Sequence, residues 1–434
     1  MNRYRLIISY VLLLITALLC TGCGGGGGGD AENASLSLNG SSDSNSTNSL
    51  VTVTGTVNGL TTGQQVTLIN NGSDSQTITS SGDGSFSFPT QLPRGSAFKV
   101  TVGTQPISQV CSVSNGTGQA TVTNVIRVIV SCSETTYTVS TIVSSLNLTS
   151  GLAIDTDSNI YISQYVSGQP LMANVYSNNG ILIKNVTFSN SGFQTVPFAF
   201  GLTIDPQNKV FVVDPSKNIL AMTQAGVQST FITNFLGNCR KAMSDTSGNI
   251  FFVGCYGSPI HRLSHEGVLT SFSSTAQLSN AITSITMDYL GNFFVTSGNQ
   301  ILKLVFDGSS FTTSPFAGSQ APGFSDGIGS QASFNNATSV AADNKGNLFV
   351  YDSGNFKVRK ITPFGVVTTV AGTGSSGNED GPGSTASFTS CKTVNQSTLS
   401  EVNYCNVAVD KSGNIIVLQS TSGWVSSIRK LTPN

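Results

Sequence analysis

Two histidines, five glutamates and eight cysteines are the residues of this chain whose types admit metal, acid–base or redox chemistry, and their spacing restricts each. His261 and His265 fall in one short segment, so both imidazoles come from one edge, and two ligands do not complete a tetrahedral zinc site. Glu32, Glu134, Glu266, Glu379 and Glu401 avoid the starts of the apolar runs, where a channel-lining carboxylate would sit. Asp214 and Asp352 end apolar runs and are candidates to face a channel. The alternative is that each begins a turn, as in Asp352-Ser353-Gly354-Asn355. These patterns predict no catalytic residue, no metal and no cofactor.

Cys20 and Cys23 belong to an export signal. The other six, Cys111, Cys132, Cys239, Cys255, Cys391 and Cys405, lack the C-x-x-C spacing of zinc or redox sites. Each lies near one other, and an oxidising compartment favours local disulfides. The turn Asn115-Gly116-Thr117-Gly118 predicts a hairpin that brings Cys111 and Cys132 together. Cys239 opens one apolar run and Cys255 ends the next, so antiparallel pairing sets them opposite. Cys391 and Cys405 bracket KTVNQSTLSEVNY, a polar insertion pinned at its base that is a candidate recognition element from Lys392 to Tyr404. Cations recur at one place in the repeats described next: Arg262, Lys303, Arg359, Lys360, Arg429 and Lys430. Strand neighbours point to opposite faces, so Arg359 and Lys360 do not serve one pocket. Solvated strand faces are expected, with Arg359 and Arg429 as candidate contacts to an acidic glycan or peptide. His261 takes the place of those two arginines and is expected to be exposed.

What must position these side chains is a repeat. An apolar run ending in Asp, a turn with Asn and usually Gly, and a second apolar run recur at Asp155, Asp205, Asp245, Asp288, Asp343 and Asp410. The intervals are close to or above the roughly 40 to 50 residues of a propeller blade. Asp accepts a hydrogen bond from backbone two residues on, and Gly and Asn tolerate positive φ, so the six aspartates read as hairpin anchors. LAMTQAG, HRLSHEG and RKITPFG align as third strands, followed by VQSTFI, VLTSFS and VVTTVA as fourth strands. The last copy, SSIRKLTPN, lacks its fourth strand. TYTVSTIV, at 136–143, has the right pattern to supply it and close the ring, which would remove exposed sheet edges.

The beginning of the chain reads as an address. Arg3 and Arg5 precede an apolar stretch at 6–19 with signal-peptide flanks. Leu19-Cys20-Thr21-Gly22-Cys23 resembles a bacterial lipobox, which implies cleavage after 22, lipidation of Cys23 and a membrane anchor. Gly24, in place of Asp, resembles the outer-membrane sorting pattern. Six glycines and a Ser, Asn, Asp and Ala-rich stretch make 23–49 a tether with too little apolar surface to order. Only 9% of residues are charged and the net charge is −1, which excludes a basic nucleic-acid face. Short alternating runs, VTVTGTV, QQVTLIN, GSFSF, FKVTVG, QVCSV and NVIRVIVSC, predict an antiparallel β-sandwich at 50–134, immunoglobulin-like or prealbumin-like. Gly55-Thr56-Val57, Asn70-Asn71-Gly72 and Gly84-Ser85-Phe86-Ser87-Phe88 resemble a small domain of bacterial surface lipoproteins.

Residues 136–434 resemble NHL-repeat β-propellers. The likeness rests on Ala317-Gly318-Ser319, Gly323-Phe324-Ser325-Asp326-Gly327, Ala332-Ser333-Phe334-Asn335 and the block at 339–374. AGTGSSGNEDGPGSTASF repeats the linker AGSQAPGFSDGIGSQASF. The expected fold is all-β: a six-bladed propeller of four-stranded blades, the last closed by an N-terminal strand, preceded by the small sandwich. The resemblance implies a monomeric scaffold that binds a protein or glycan ligand. Its alternative is a metal-dependent lyase or lactonase, since some members of the fold are such enzymes.

Overall fold

The computed structural model describes residues 50–80, 84–106, 109–121, 127–147, 149–164, 169–188, 200–214, 218–233, 235, 239, 241–255, 258–272, 282–307, 309–394, 401–403, 405–420 and 425–434. The leader at 1–22, the tether at 23–49 with Cys23, and Tyr404 lie outside the described residues.

In the first part, strict alternation gives strands such as Thr54–Asn58 and Gln65–Asn70 one buried face. Two four-stranded sheets result. One runs Gly84–Ser87, Thr54–Asn58, Arg127–Glu134, Gln109–Ser114, and the other Asp74–Thr79, Gln65–Asn70, Ala97–Thr104, Thr117–Gln119. Both contribute to one core that includes Val57, Leu68, Phe88, Val100 and Val130. Two expectations are corrected here. Arg127–Glu134 lies parallel to Thr54–Asn58, so this part is not wholly antiparallel. Cys111 and Cys132 do face each other and are bonded, but not across a tight hairpin. Asn115, at φ 56°, turns the chain away, and Thr117–Gln119 crosses to pair with Ala97–Thr104 of the other sheet.

From Tyr137 onward the described residues form six antiparallel sheets of four or five strands; the first four are meanders in chain order, the fifth adds Gly327–Ile328 outside its fourth strand, and the sixth is completed by strands from earlier in the chain. Their first strands are Thr149–Ile154, Phe200–Ile204, Lys241–Ser244, Ile282–Met287, Ala337–Ala342 and Asn406–Val409. Each touches the next, and Asn406–Val409 touches Thr149–Ile154. Second strands are buried on both faces, as in Val210–Val213, Leu348–Asp352 and Ile415–Ser420. Their near-continuous apolar sequence follows from that burial. Outer strands such as Gln228–Ile232 are largely open. In the sixth sheet Tyr137–Asn147 pairs antiparallel with Val425–Pro433, so a segment from before the first repeat forms the strand outside the last.

The hairpins between first and second strands share one device. Asp343 Oδ1 accepts the N–H groups of Lys345 and Asn347 at 2.9 and 2.8 Å, and its Oδ2 accepts Asn347 Nδ2 at 2.8 Å. Asp155, Asp245, Asp288 and Asp410 repeat all three bonds. The turn needs one left-handed residue, supplied by Gly248, Gly291, Gly346 and Gly413 in the later sheets. Ser158 and Asn208 take that conformation in the first two sheets, which lack the glycine.

Candidate functional site

Asp214 and Asp352, the candidates for a channel or for a turn, are both bonded to residues of the turns that follow them. Asp214 is fully buried; its oxygens accept the backbone N–H of Asn218 at 2.7 Å and its side-chain amide at 3.0 Å. Asp352, also fully buried, accepts the N–H of Asn335 at 2.8 Å, Asn355 Nδ2 at 2.8 Å and Arg359 Nη1 at 2.9 Å. Burial pushes its carboxyl above the ordinary carboxylate range, while those donors pull it back. Among the described residues no three of His, Cys, Asp and Glu come together in a way that would hold a metal.

Arg359 and Arg429 are not solvated; both are completely buried. Arg359 donates to the carbonyls of Ser333 at 3.2 Å and Ser325 at 2.9 Å and pairs with Asp326 at 2.6 Å, its guanidinium 5.2 Å from the Phe334 ring. Arg429 does the same to the copied linker: Ser387 carbonyl at 3.0 Å, Glu379 carbonyl at 2.8 Å, Asp380 at 2.8 Å, and the Phe388 ring at 5.2 Å. The expectation of a solvent-facing binding stripe is corrected at these positions, because a linker remote in sequence folds over each one. Lys360 is buried as well.

His261 is also buried, contrary to expectation, with Nδ1 2.8 Å from the Ser271 hydroxyl and its ring against Phe235. Burial lowers its pKa below the ordinary histidine value. His265 is exposed beside Glu266. Cys239 is bonded to Cys255 and Cys391 to Cys405. Within the insertion, Lys392–Val394 pairs with Glu401–Asn403 as a two-stranded ribbon.

One cleft brings together side chains that the sequence did not join. Between the third and fourth sheets lies a cavity of about 320 Å³, whose lining includes Phe251, Phe293, Phe306, Tyr289, Arg262 and Asp288. Tyr289 is 62% exposed. Arg262 is half-buried, and its guanidinium makes no hydrogen bond or ion pair among the described residues. Asp288 is already occupied by its own turn. The arrangement offers aromatic faces beside a planar cation with free donors. Arg262 was visible as one rung of a ladder, but Tyr289 carried no signal, being the variable residue after an anchor aspartate.

Neither a family model nor a curated protein matches the chain. Solved structures do. One is a Bacteroides thetaiotaomicron protein of unknown function, 17% identical, with a TM-score of 0.54 over 89% of this chain and 95% of that one. Another, from the same organism, is an auxiliary nutrient binding protein, 14% identical, with a TM-score of 0.50 over 85% of this chain and 90% of that one. The likeness is one of fold. Taken with the sheet topology, it makes this an all-β, propeller-type chain held by disulfides, and at such identities it carries no activity across. No helix among the described residues is long and apolar enough to cross a membrane.

Proposed function

We propose that the chain is an envelope-anchored lipoprotein whose six-bladed propeller, at 136–434, is a glycan-binding scaffold carried beyond a small β-sandwich by the tether at 23–49. The cleft between the third and fourth sheets carries this reading. Sugar C–H faces stack on aromatic rings such as Tyr289 and Phe306, and the uncommitted Arg262 guanidinium has donors for hydroxyl or carboxylate oxygens. Binding sites of this kind pair an apolar lining with a few placed polar groups. The closed cycle of first strands and the pairing of Tyr137–Asn147 with Val425–Pro433 support six blades sealed by the early strand. A Bacteroides protein of similar fold being nutrient-binding agrees with an envelope role.

The test is a glycan array probed with the soluble chain and with Arg262→Met and Tyr289→Ala. Binding that drops at least tenfold in both variants, with unchanged melting temperature, is expected; full binding by both removes the cleft. Cys23→Ser is expected to release the chain from membranes, and continued retention overturns the anchor.

A further inference from the structure

Four residues before each anchor aspartate, the six first strands form one layer: Gly151, Gly201, Lys241, Ser284, Ser339 and Asn406. Five are small or neutral. Ser284 and Ser339 use their hydroxyls locally, accepting the N–H groups of Val340 at 3.1 Å and Val407 at 3.0 Å on the adjoining strand. Lys241 is the exception. Its Nζ donates to Asn406 Oδ1 at 2.8 Å, joining the third sheet to the sixth across 165 residues of chain.

Lys241 is the only charged residue in the described first strands, and no carboxylate pairs with it among the described residues. The nearest acids in sequence are the anchor aspartates just past the ends of those strands, and the oxygens of Asp245 and Asp410 accept turn N–H groups. Burial alone lowers the Lys241 pKa, to about 8, so at neutral pH the amine remains mostly protonated. A buried ammonium normally has a counter-charge. Of its three N–H donors, Asn406 takes one.

We propose that Lys241 is the centre of an anion site within the ring of first strands, and that its ligand is a small carboxylate. Two carboxylate oxygens match the two remaining ammonium donors, and the negative charge supplies what the fold leaves out. This site is separate from the cleft at Arg262 and stands or falls independently of it.

The probe is sodium acetate at pH 7 against sodium chloride of equal ionic strength. The wild-type chain is expected to show a saturable rise in melting temperature with acetate over chloride, absent from Lys241→Met. An equal rise in the variant, or none in the wild type, overturns the site. Should Lys241→Met fail to fold, the chain labelled with [13C]lysine decides. The lysine signal titrating near pH 8 is expected to move up by about one pH unit at a tenfold excess of acetate over its Kd. A midpoint indifferent to acetate, or equally moved by chloride, overturns the proposal.

Discussion

At one position of the third strand, on the side facing the sheet's outer edge, the fifth and sixth sheets carry Arg359 and Arg429, whereas the third sheet carries His261. Their cross-strand partners are Thr369, Thr141 and Ser271. Each side chain lies against a buried phenylalanine: Phe334, Phe388 and Phe235. In the two arginine sheets a linker aspartate completes the arrangement, Asp326 accepting from Thr369 and Asp380 from Thr141, through both N–H and hydroxyl. Thr141 belongs to the segment before the first repeat, yet it meets Asp380 as Thr369 meets Asp326. The third sheet uses a side chain that can be neutral, and the Cys239–Cys255 bridge ties its entry to its second strand. A fixed charge thus clamps a linker only where carboxylate and carbonyls converge on it; where they do not, a titratable ring fills the same place.

The two arginines differ beneath this symmetry, and that difference yields the largest expected effect. Arg359 also neutralises Asp352, which is wholly buried, whereas the corresponding residue beside Arg429 is the neutral Gln419. Asp380, the carboxylate paired with Arg429, is 47% exposed. Arg359→Met therefore strands a buried carboxylate and is expected to cost about 3 to 5 kcal/mol in urea unfolding. Arg429→Met loses charge-assisted bonds without stranding a buried charge, at roughly 1.5 to 3 kcal/mol. Adding Asp352→Asn to Arg359→Met should recover part of the loss. Equal costs for the two single variants would break the distinction.

The same region marks where the sequence could be read and where it could not. The anchor turns were legible because their chemistry is complete within five residues: one carboxylate, two or three donors and a left-handed position. Ser158 and Asn208 weakened the signal in the first two sheets by replacing glycine in that conformation. The disulfides were legible for a related reason, each joining neighbouring segments. Arg359 and Arg429 were misread because a cation on a strand is ordinarily solvated, and only the folded linker desolvates it. The linkers had been recognised as copies of each other, but nothing local tied Ser325 or Glu379 to an arginine 34 or 50 residues later. Lys241 escaped entirely, since its partner Asn406 is brought near only by assembly of all six first strands. The Asn115-Gly116 turn was seen, but its consequence depended on which sheet would receive Thr117–Gln119.

The smallest effect sharpens the contrast from the histidine side. Burial holds the folded-state pKa of His261 below its unfolded value of about 6.5, and its Nε2 has no hydrogen-bond partner among the described residues. As the pH falls through the unfolded value, the unfolded chain takes up a proton that the folded chain refuses, so the neutral ring's contribution to stability declines. The decline continues to the folded pKa and then stops, amounting to about 1.4 kcal/mol for each unit separating the two values. His261→Gln removes this slope. His265 is exposed and, like the carboxylates, is common to both proteins, so the difference between their urea midpoints at pH 7.5 and 5.5 isolates the buried ring. Parallel pH profiles for the two would mean that the third sheet admits a charged imidazole. Its pocket would then resemble the arginine pockets more closely than the absence of a linker aspartate among its described residues allows.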